Sequence, residues 1–511
     1  MPSIADLIFI GLLGALVFTP LSIKLLGDAG IGWHIRNGQQ ILAAHAVPRF
    51  DPFSSSLSLG QPWFAWEWLY DIAVGKLEAW CGLNGVVWFT AVVIATVFAW
   101  TFRLAVARGT NLLLALVLTL LGMSASMIHF LARPHVFSWL FVLAWFWILD
   151  STKREGLQRQ RARWLWALPL SMVLWVNVHG GFLLGFVLLG IYWLGSLWAW
   201  LTTKENLLED SLEKIASGQR VRQLTVVGLL SIAASFVNPY GWKLHAHIYS
   251  YLSNRFLMDH IEEFQSPNFH GITQKCFLAL LLIAIAALAT NARKLKLSEI
   301  LLLLFAVYAG LYASRNIPVS SILLVLIVGP LLPSMKSRKF VQRMSAVDGQ
   351  QRGHLWPICA TAAVLLIAAN GGRVGSSQWM DAHFDPKRVP VEAVNYLQQS
   401  RVNAPILSPD YWGGYLIFRR YSSYGVVIDD RHDFYGEQFL RLYLQMIHVE
   451  PGWDQFLKLH GVSCLLLPRN AALATVISAT PGWKPLYSDD LSTVFMKTGP
   501  NLQDADRAPS Q

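Results

Sequence analysis

The sequence predicts an all-α polytopic membrane domain followed by a C-terminal α/β domain. Three observations carry that expectation: a low charged fraction, recurring long apolar runs, and a change of composition after residue 370. Of the 511 residues, 54% are hydrophobic and only 14% are charged, with a mean hydropathy of +0.41. Soluble domains carry roughly 25% charged residues. The deficit is concentrated in apolar runs of about 15–22 residues, long enough or nearly so to cross ~30 Å of hydrocarbon as helices. The runs do not alternate, which excludes a β-barrel reading.

Spans are expected near 7–25, 84–102, 110–130, 136–150, 164–177, 181–202, 224–237, 276–290, 299–313, 318–334 and 355–370, about eleven in all. The first begins without Lys or Arg before it and without a small-residue cleavage site, so it is expected to be retained. One set of connections is basic: Arg103 and Arg108, 153–163, 204–222, 293–296 and 336–352. Positive residues in short connections mark the cytoplasmic side. The other set holds 26–83, Ala132–His135, Val178–Gly181, 238–274, Ser314–Pro318 and everything after 371. An odd number of spans then puts the C-terminal region outside the cell.

The formal charge of +10 is spent in those basic connections. No basic domain with interleaved aromatics exists, so nucleic acid is not an expected partner. The four cysteines, Cys81, Cys276, Cys359 and Cys464, lack metal-ligand spacing. His245 and His247 lie two apart, which suits neither a helical ligand pair nor a metal site. The domains are therefore read as 1–370 in the membrane, with a large first outward segment at 26–83; 371–498 as an outward α/β domain; and 499–511 as a disordered tail. In the α/β domain, 390–399 predicts a helix, 404–409, 424–431 and 462–468 predict strands, and 436–447 and 451–460 predict helices.

The segment 26–83 is long for a connector and gathers Asp28, His34, Arg36, Asp51, Glu67 and Asp71 among several tryptophans. Half of it is expected as an interfacial amphipathic helix, with Trp63, Trp66 and Trp68 as headgroup anchors. Arg133 and Arg315 stand in outward turns beside Pro134 and Pro318, against the rule that positive charge stays inside. Asn177 and His179 flank Gly180 and Gly181, which permit close helix approach. Glu262 and Glu263 are candidates to hold an acceptor or orient a basic group. Asp429, Asp430, Arg431 and Asp433 form the densest charged cluster of the tail, expected either to bind acceptor or glycan or, the favoured reading, to make buried ion pairs that dock the tail on the membrane domain.

The pattern carried by Asp28, Trp33, His34, Gly38, Pro48, Asp51, Phe53, Ser54, Gly60, Pro62, Trp63, Glu67 and Trp68 resembles bacterial members of the GT-C superfamily of membrane glycosyltransferases, relatives of protein O-mannosyltransferases and aminoarabinose transferases. The tail stretch from Trp412 to Gly436 resembles theirs as well. The resemblance implies a GT-C-like membrane domain in the bacterial cytoplasmic (inner) membrane, with the C-terminal domain extracytoplasmic. It implies transfer of a sugar from a polyprenyl-phosphate donor to an extracytoplasmic protein, lipid or polysaccharide. The expected partners are that lipid-linked donor, membrane lipids and the acceptor.

The acid just outside the first span, Asp28, corresponds to the general base. Many relatives carry a second acid two residues later, where this chain has Gly30, so no metal and no other cofactor is expected. A carboxylate against an acceptor hydroxyl can take its proton during attack. Fixed cations stabilise the departing lipid phosphate, and Arg133 and Arg315 are the candidates. His34, Asp51, Glu67, His179, Glu262 and Glu263 are expected to shape the pocket or hold the acceptor. The tail has no nucleotide fingerprint, so a soluble nucleotide-sugar is not expected. Two alternatives share the lipid-linked substrate: a transporter or flippase, and a ligase of whole saccharide chains.

Overall fold

The computed structural model describes the chain apart from residues 56–60, 152–161, 205–207, 291–294, 333–338, 352, 403, 420–424 and 499–511. The expected disordered tail and much of the basic connections lie outside the described residues. Two compact units form, one of Met1–Ser22 with Asn84–Asp381, the other of Ile23–Leu83 with Ala382–Gln511. The first outward segment is thus grouped with the tail and not with the spans that flank it in sequence.

The first unit is a bundle of apolar helices. Its opening helix, Ile4–Phe18, starts at a capping box in which Ser3 Oγ accepts from the Asp6 amide and the Asp6 carboxylate accepts from the Ser3 amide. The expected span 7–25 stops early, at Thr19, which is extended (φ −121°, ψ 172°). Pro20 is the cause, because proline disfavours α geometry in the residue before it.

Among the described residues, five helices are long and apolar enough to cross a membrane: Trp68–Ala107, Leu112–His129, Gly180–Thr202, Ile272–Thr290 and Ser314–Leu331. Five shorter apolar helices, of 10–17 residues, coincide with other expected spans. The expected span 224–237 is the second half of Leu208–Ser235, whose first half is polar. Among the described residues, helix length thus supports five of the eleven expected spans outright. Trp68–Ala107 is broken at Gly82 (φ 60°, ψ −160°), beside the boundary between the two units.

Helix Ile317–Val328 is buried along its whole length and packs against Leu112–Ser126, Leu297–Tyr312 and Ile272–Thr290. Gly310 is required for this: a Cβ there would lie 2.4 Å from the Phe277 ring and 2.9 Å from Ser320. Charges within the bundle are paired. Arg108 bridges Asp150 and Glu299 and donates through Nε to Leu326 O at 2.9 Å.

The second unit is built on a four-stranded sheet in the order Ile406–Leu407, Cys464–Pro468, Ser492–Lys497, Trp483–Ser488. The first pair is parallel and the other two antiparallel. The strand expected at 424–431 is reduced, among the described residues, to single bridges from Val426 to Ile406 and to Ser54. It ends because Asp429 Oδ1 accepts from the Arg431 amide at 3.0 Å and turns the chain. Residues 53–55 consequently sit beside the tail: Val426 N donates to Phe53 O at 3.0 Å and Ser55 N to Val426 O at 2.8 Å.

Helix Ile31–Ala44 packs on helix Asp410–Arg419 at backbone contact distance. A Cβ on Gly32 would stand 2.2 Å from Gly414 O, and one on Gly414 2.4 Å from Ala29 O. Arg36 Nε donates to Phe418 O at 2.7 Å. The apolar face of Ile31–Ala44 is thus buried in protein, which corrects the interfacial-helix expectation. Trp63 is buried too and is no headgroup anchor.

Trp63 instead walls an enclosed guanidinium. Arg431 is 3% exposed; it reaches Asp51 Oδ1 at 2.7 Å through Nη1, and Asp429 through Nε at 2.8 Å and Nη2 at 2.7 Å. The rings of Trp33, Phe53, Trp63 and Phe434 lie 4.7–5.9 Å from its Cζ. The tail cluster therefore does make buried ion pairs, and their partner is the first outward segment. Asp51, Phe53 and Trp63 lie in that segment; Asp429 and Arg431 lie in the tail. Removing the cation leaves two buried carboxylates unmatched, a change that costs about 3–5 kcal/mol. Arg431→Met should lower the thermal unfolding midpoint of the purified protein, followed by tryptophan fluorescence, and adding Asp51→Asn and Asp429→Asn should restore part of the loss. A midpoint unmoved by Arg431→Met would contradict this reading.

Candidate functional site

The first unit carries its candidate site in the turns between helices. Helix Ala167–Val176 gives way at Asn177, and His179 is extended (φ −164°, ψ 143°). His179 Nδ1 accepts from the Gly181 amide at 3.0 Å and lies 2.7 Å from Ser138 Oγ. Trp175 Nε1 donates to the same Oγ at 2.8 Å, so the serine hydroxyl is turned toward the histidine. Two donors on Nδ1 put the imidazole proton on Nε2. A Cβ at Gly181 would fall 2.5 Å from Ser138 Oγ, which explains glycine there. Burial, and then the nearby charge of Arg315, hold the His179 pKa well below its usual range, so the ring is neutral.

Arg315 stands in the short turn Ser314–Asn316, where extended Ala313 ends one helix and Pro318 opens the next. Its Nη1 is 3.0 Å from Glu263 Oε1, and its Cζ lies 4.5 Å over the Phe264 ring. The turn is fastened to the Glu262–Phe264 turn by Ser314 N donating to Gln265 O at 2.8 Å. His129 Nε2 donates to Ser314 O at 3.1 Å, and His135 Nε2 to His129 O at 2.9 Å. Arg133 lies between those two histidines. Three connections between helices, 127–135, 262–265 and 313–316, are thus stitched together.

Burial alone would raise the Glu263 pKa, but the charge of Arg315 and the groups His129, Arg133 and His135 outweigh it, and the carboxyl is held below its usual range. Of the sequence-predicted residues, the first unit therefore brings Arg133, Arg315, His179 and Glu263 into one electrostatic neighbourhood. Glu262 and Glu263 are both exposed in that turn, and Glu263 is the acid that meets the cation. His129 was not singled out from sequence; the signal was a histidine four residues before an outward Arg-Pro.

The remaining candidates belong to the second unit. Asp28 is half-buried ahead of helix Ile31–Ala44, and its Oδ1 accepts from the Gly30 amide at 2.9 Å. His34 is 1% exposed and stacked on Trp33. Its Nδ1 lies 2.6 Å from Asp71 Oδ1 and its Nε2 3.8 Å from Glu67 Oε2, while Asn37 donates to Asp71 Oδ2 at 2.6 Å. Asp51 is tied to Arg431 and accepts from the Ser54 amide at 2.7 Å. His34 and Asp51 are hence buried inside the unit, with side-chain polar atoms hydrogen-bonded. Glu67 belongs to the same network at its edge. Among the described residues, no group of three or more His, Cys, Asp or Glu is placed to hold a metal ion.

A further titratable pair lies in the tail. His432 Nε2 is 2.7 Å from Asp410 Oδ2, and Tyr443 OH donates to Asp410 Oδ1 at 3.2 Å. Burial alone would lower the His432 pKa; the hydrogen bond and charge of Asp410 outweigh it, and the pKa stands raised. The contact therefore contributes stability below about pH 6.5 and loses it as pH rises through the raised value. Histidine NMR should place the His432 midpoint above the ordinary value of about 6.5, and Asp410→Asn should bring it to that value or below. A midpoint unchanged by Asp410→Asn would contradict the pairing.

No family model matches the chain, and no curated protein matches it in sequence. Solved structures do match it in shape. The oligosaccharyltransferase AglB from Archaeoglobus fulgidus, in complex with an inhibitory peptide and a dolichol-phosphate, aligns with a TM-score of 0.56 at 9% identity, over 97% of this chain and 74% of that one. The Archaeoglobus fulgidus oligosaccharyltransferase in complex with Zn and sulfate aligns with a TM-score of 0.51 at 10% identity, over 96% and 73%. ArnT from Cupriavidus metallidurans, bound to undecaprenyl phosphate, reaches 0.46 at 12% identity over 96% and 97%, a score too low to add to the assignment. Alignment over nearly the whole chain gives it the fold of those two oligosaccharyltransferases, and the apolar helices mark a multi-pass membrane protein.

Proposed function

We propose that the protein transfers a sugar from a polyprenyl-phosphate carrier to an acceptor outside the cytoplasm, from the cytoplasmic membrane of a bacterium with the C-terminal domain on the outer side. What supports this most is that two arginines, Arg133 and Arg315, both act by their charge on Glu263 and on His179. Cations normally collect in the cytoplasmic connections, so two of them fixed on the opposite side call for an anion. A lipid phosphate supplies one, because its charge is confined to the membrane–water boundary. The structurally similar AglB was solved with a dolichol-phosphate.

In this reading the acceptor oxygen attacks the anomeric carbon, forming the new glycosidic bond. The bond between that carbon and the phosphate oxygen breaks, and the lipid phosphate leaves with the electron pair. Arg133 and Arg315 stabilise the growing charge. The proposed acceptor of the hydroxyl proton is the carboxylate of Asp28, a half-buried residue. A single displacement inverts the anomeric centre. His179, neutral with its proton on Nε2, offers a hydrogen-bond donor that adds no charge. Joining of whole saccharide chains would use the same donor class and the same residues.

Purified protein in nanodiscs, offered a panel of polyprenyl-phosphate sugars with an acceptor mixture, should release free lipid phosphate. Asp28→Asn should reduce turnover by about 10²–10⁴-fold, and Arg315→Gln by about 10²–10³-fold. Turnover that survives Asp28→Asn would remove the assigned base. Turnover indifferent to Arg315→Gln would remove the phosphate site.

A further inference from the structure

Between the apolar half of helix Leu208–Ser235 and the span Ile272–Thr290 lies a helix too short to cross a membrane. Helix Trp242–Ser253 has 12 residues. At 1.5 Å per residue that is about 18 Å, against ~30 Å of hydrocarbon. Both of its ends are tied to the same end of the bundle. Near its start, His245 Nε2 lies 2.9 Å from Ser235 Oγ, and Asn177 Nδ2 donates to Val237 O at 2.8 Å. Near its finish, the Tyr251 ring meets Phe264 edge-on at 5.9 Å, and the turn that holds Phe264 is bonded to Ser314 through Gln265 O. Fastened at both ends in this way, the helix runs along the bundle end and not through it.

Its side chains fall in three sectors, given a turn of about 100° per residue. Leu244 and Ile248 are buried and Tyr251 is half-buried, so this sector faces the protein. Trp242 and Tyr249, seven residues apart, form a second sector with Leu252; they are 66%, 76% and 45% exposed. Lys243 and Ser250, also seven apart and exposed, form the third. An exposed apolar sector beside an exposed polar one, with the remaining side packed on protein, is the arrangement of a helix lying at a boundary between hydrocarbon and water. Trp and Tyr are the side chains that settle at headgroup level. We infer that helix Trp242–Ser253 lies in the plane of the membrane surface, with Trp242, Tyr249 and Leu252 among the lipids and Lys243 and Ser250 in water. A lipid surface is the partner because the apolar helices before and after the segment hold it at their ends, where a side chain projecting sideways from the bundle meets lipid. The interfacial helix expected within 26–83 is buried in the second unit, and this segment takes its role. Through Tyr251 and Phe264 the seated helix reaches the Arg315 turn, since the Arg315 guanidinium lies 4.5 Å over the Phe264 ring. The inference holds whichever reaction the protein performs.

A genetically encoded fluorescent amino acid, placed at position 249 or at position 250, reads the two exposed sectors separately. Full-length protein is held in nanodiscs of phosphatidylethanolamine with phosphatidylglycerol. One quencher is a nitroxide on the lipid acyl chain, the other iodide in the water. In place of Tyr249, the fluorophore should be quenched several-fold more strongly by the nitroxide than by iodide, and in place of Ser250 the order should reverse. Iodide quenching at position 249 as strong as at position 250 would put the whole exposed face in water and overturn the inference. Shielding of position 249 from both quenchers would show that protein covers it, a second copy or another chain, and would overturn it equally. Neither failure bears on the proposed transfer.

Discussion

Hydrocarbon accepts neither a bare charge nor an unpaired peptide group, and the first unit is organised by that refusal. Its helices are apolar over most of their length, and helix Ile317–Val328 is buried throughout. The charges that enter the bundle, Arg108, Asp150 and Glu299, meet one another. What chemistry the unit can offer is thereby pushed into the turns. Short turns between close-packed helices converge without long loops, which is how residues as distant in sequence as His129, Glu263 and Arg315 meet. The price of a fixed cation in such a turn is a fixed partner, and Glu263 fills that role.

The second unit solves a different problem. It has little regular sheet, so a buried ionic contact does part of the work that a larger core would do. Arg431 inside four aromatic rings, held by Asp51 and Asp429, ties residues far apart in the chain. The close backbone approach of Gly32 to Gly414 does the same a few residues away. Together they turn what reads as a loop between two spans into part of a folded unit. His34, Asn37, Asp71 and Glu67 extend that framework around helix Ile31–Ala44.

Much of this was legible in the residues. The apolar runs mark helices because their length and lack of alternation leave few other solutions, and Pro20 is the visible reason that one run stops short. Arg133 and Arg315 stand out because they are cations in turns expected, from the alternation of basic connections, to face outward. The tail helices Val391–Gln399 and His432–Ile447 follow from periodicity. The hairpin Trp483–Ser488 with Ser492–Lys497 was missed, because its first strand is mostly exposed, contains Pro485 and does not alternate. Helix Asp410–Arg419 was hidden by its two glycines, which serve packing at Gly413 and Gly414. That His34 and Asp51 are buried was not legible, because a buried ion pair and an exposed one use the same residue types.

The central claim is that the outward arginines hold a lipid phosphate, and direct binding tests it most simply. Native mass spectrometry of the detergent-purified protein, mixed with a polyprenyl phosphate and the polyprenol of equal length, reports both lipids at once. The account predicts a retained adduct with the phosphate, little with the alcohol, and loss of the phosphate adduct in the Arg133→Gln, Arg315→Gln double variant that remains folded. Equal retention of phosphate and alcohol, or an adduct untouched by the double substitution, would contradict it.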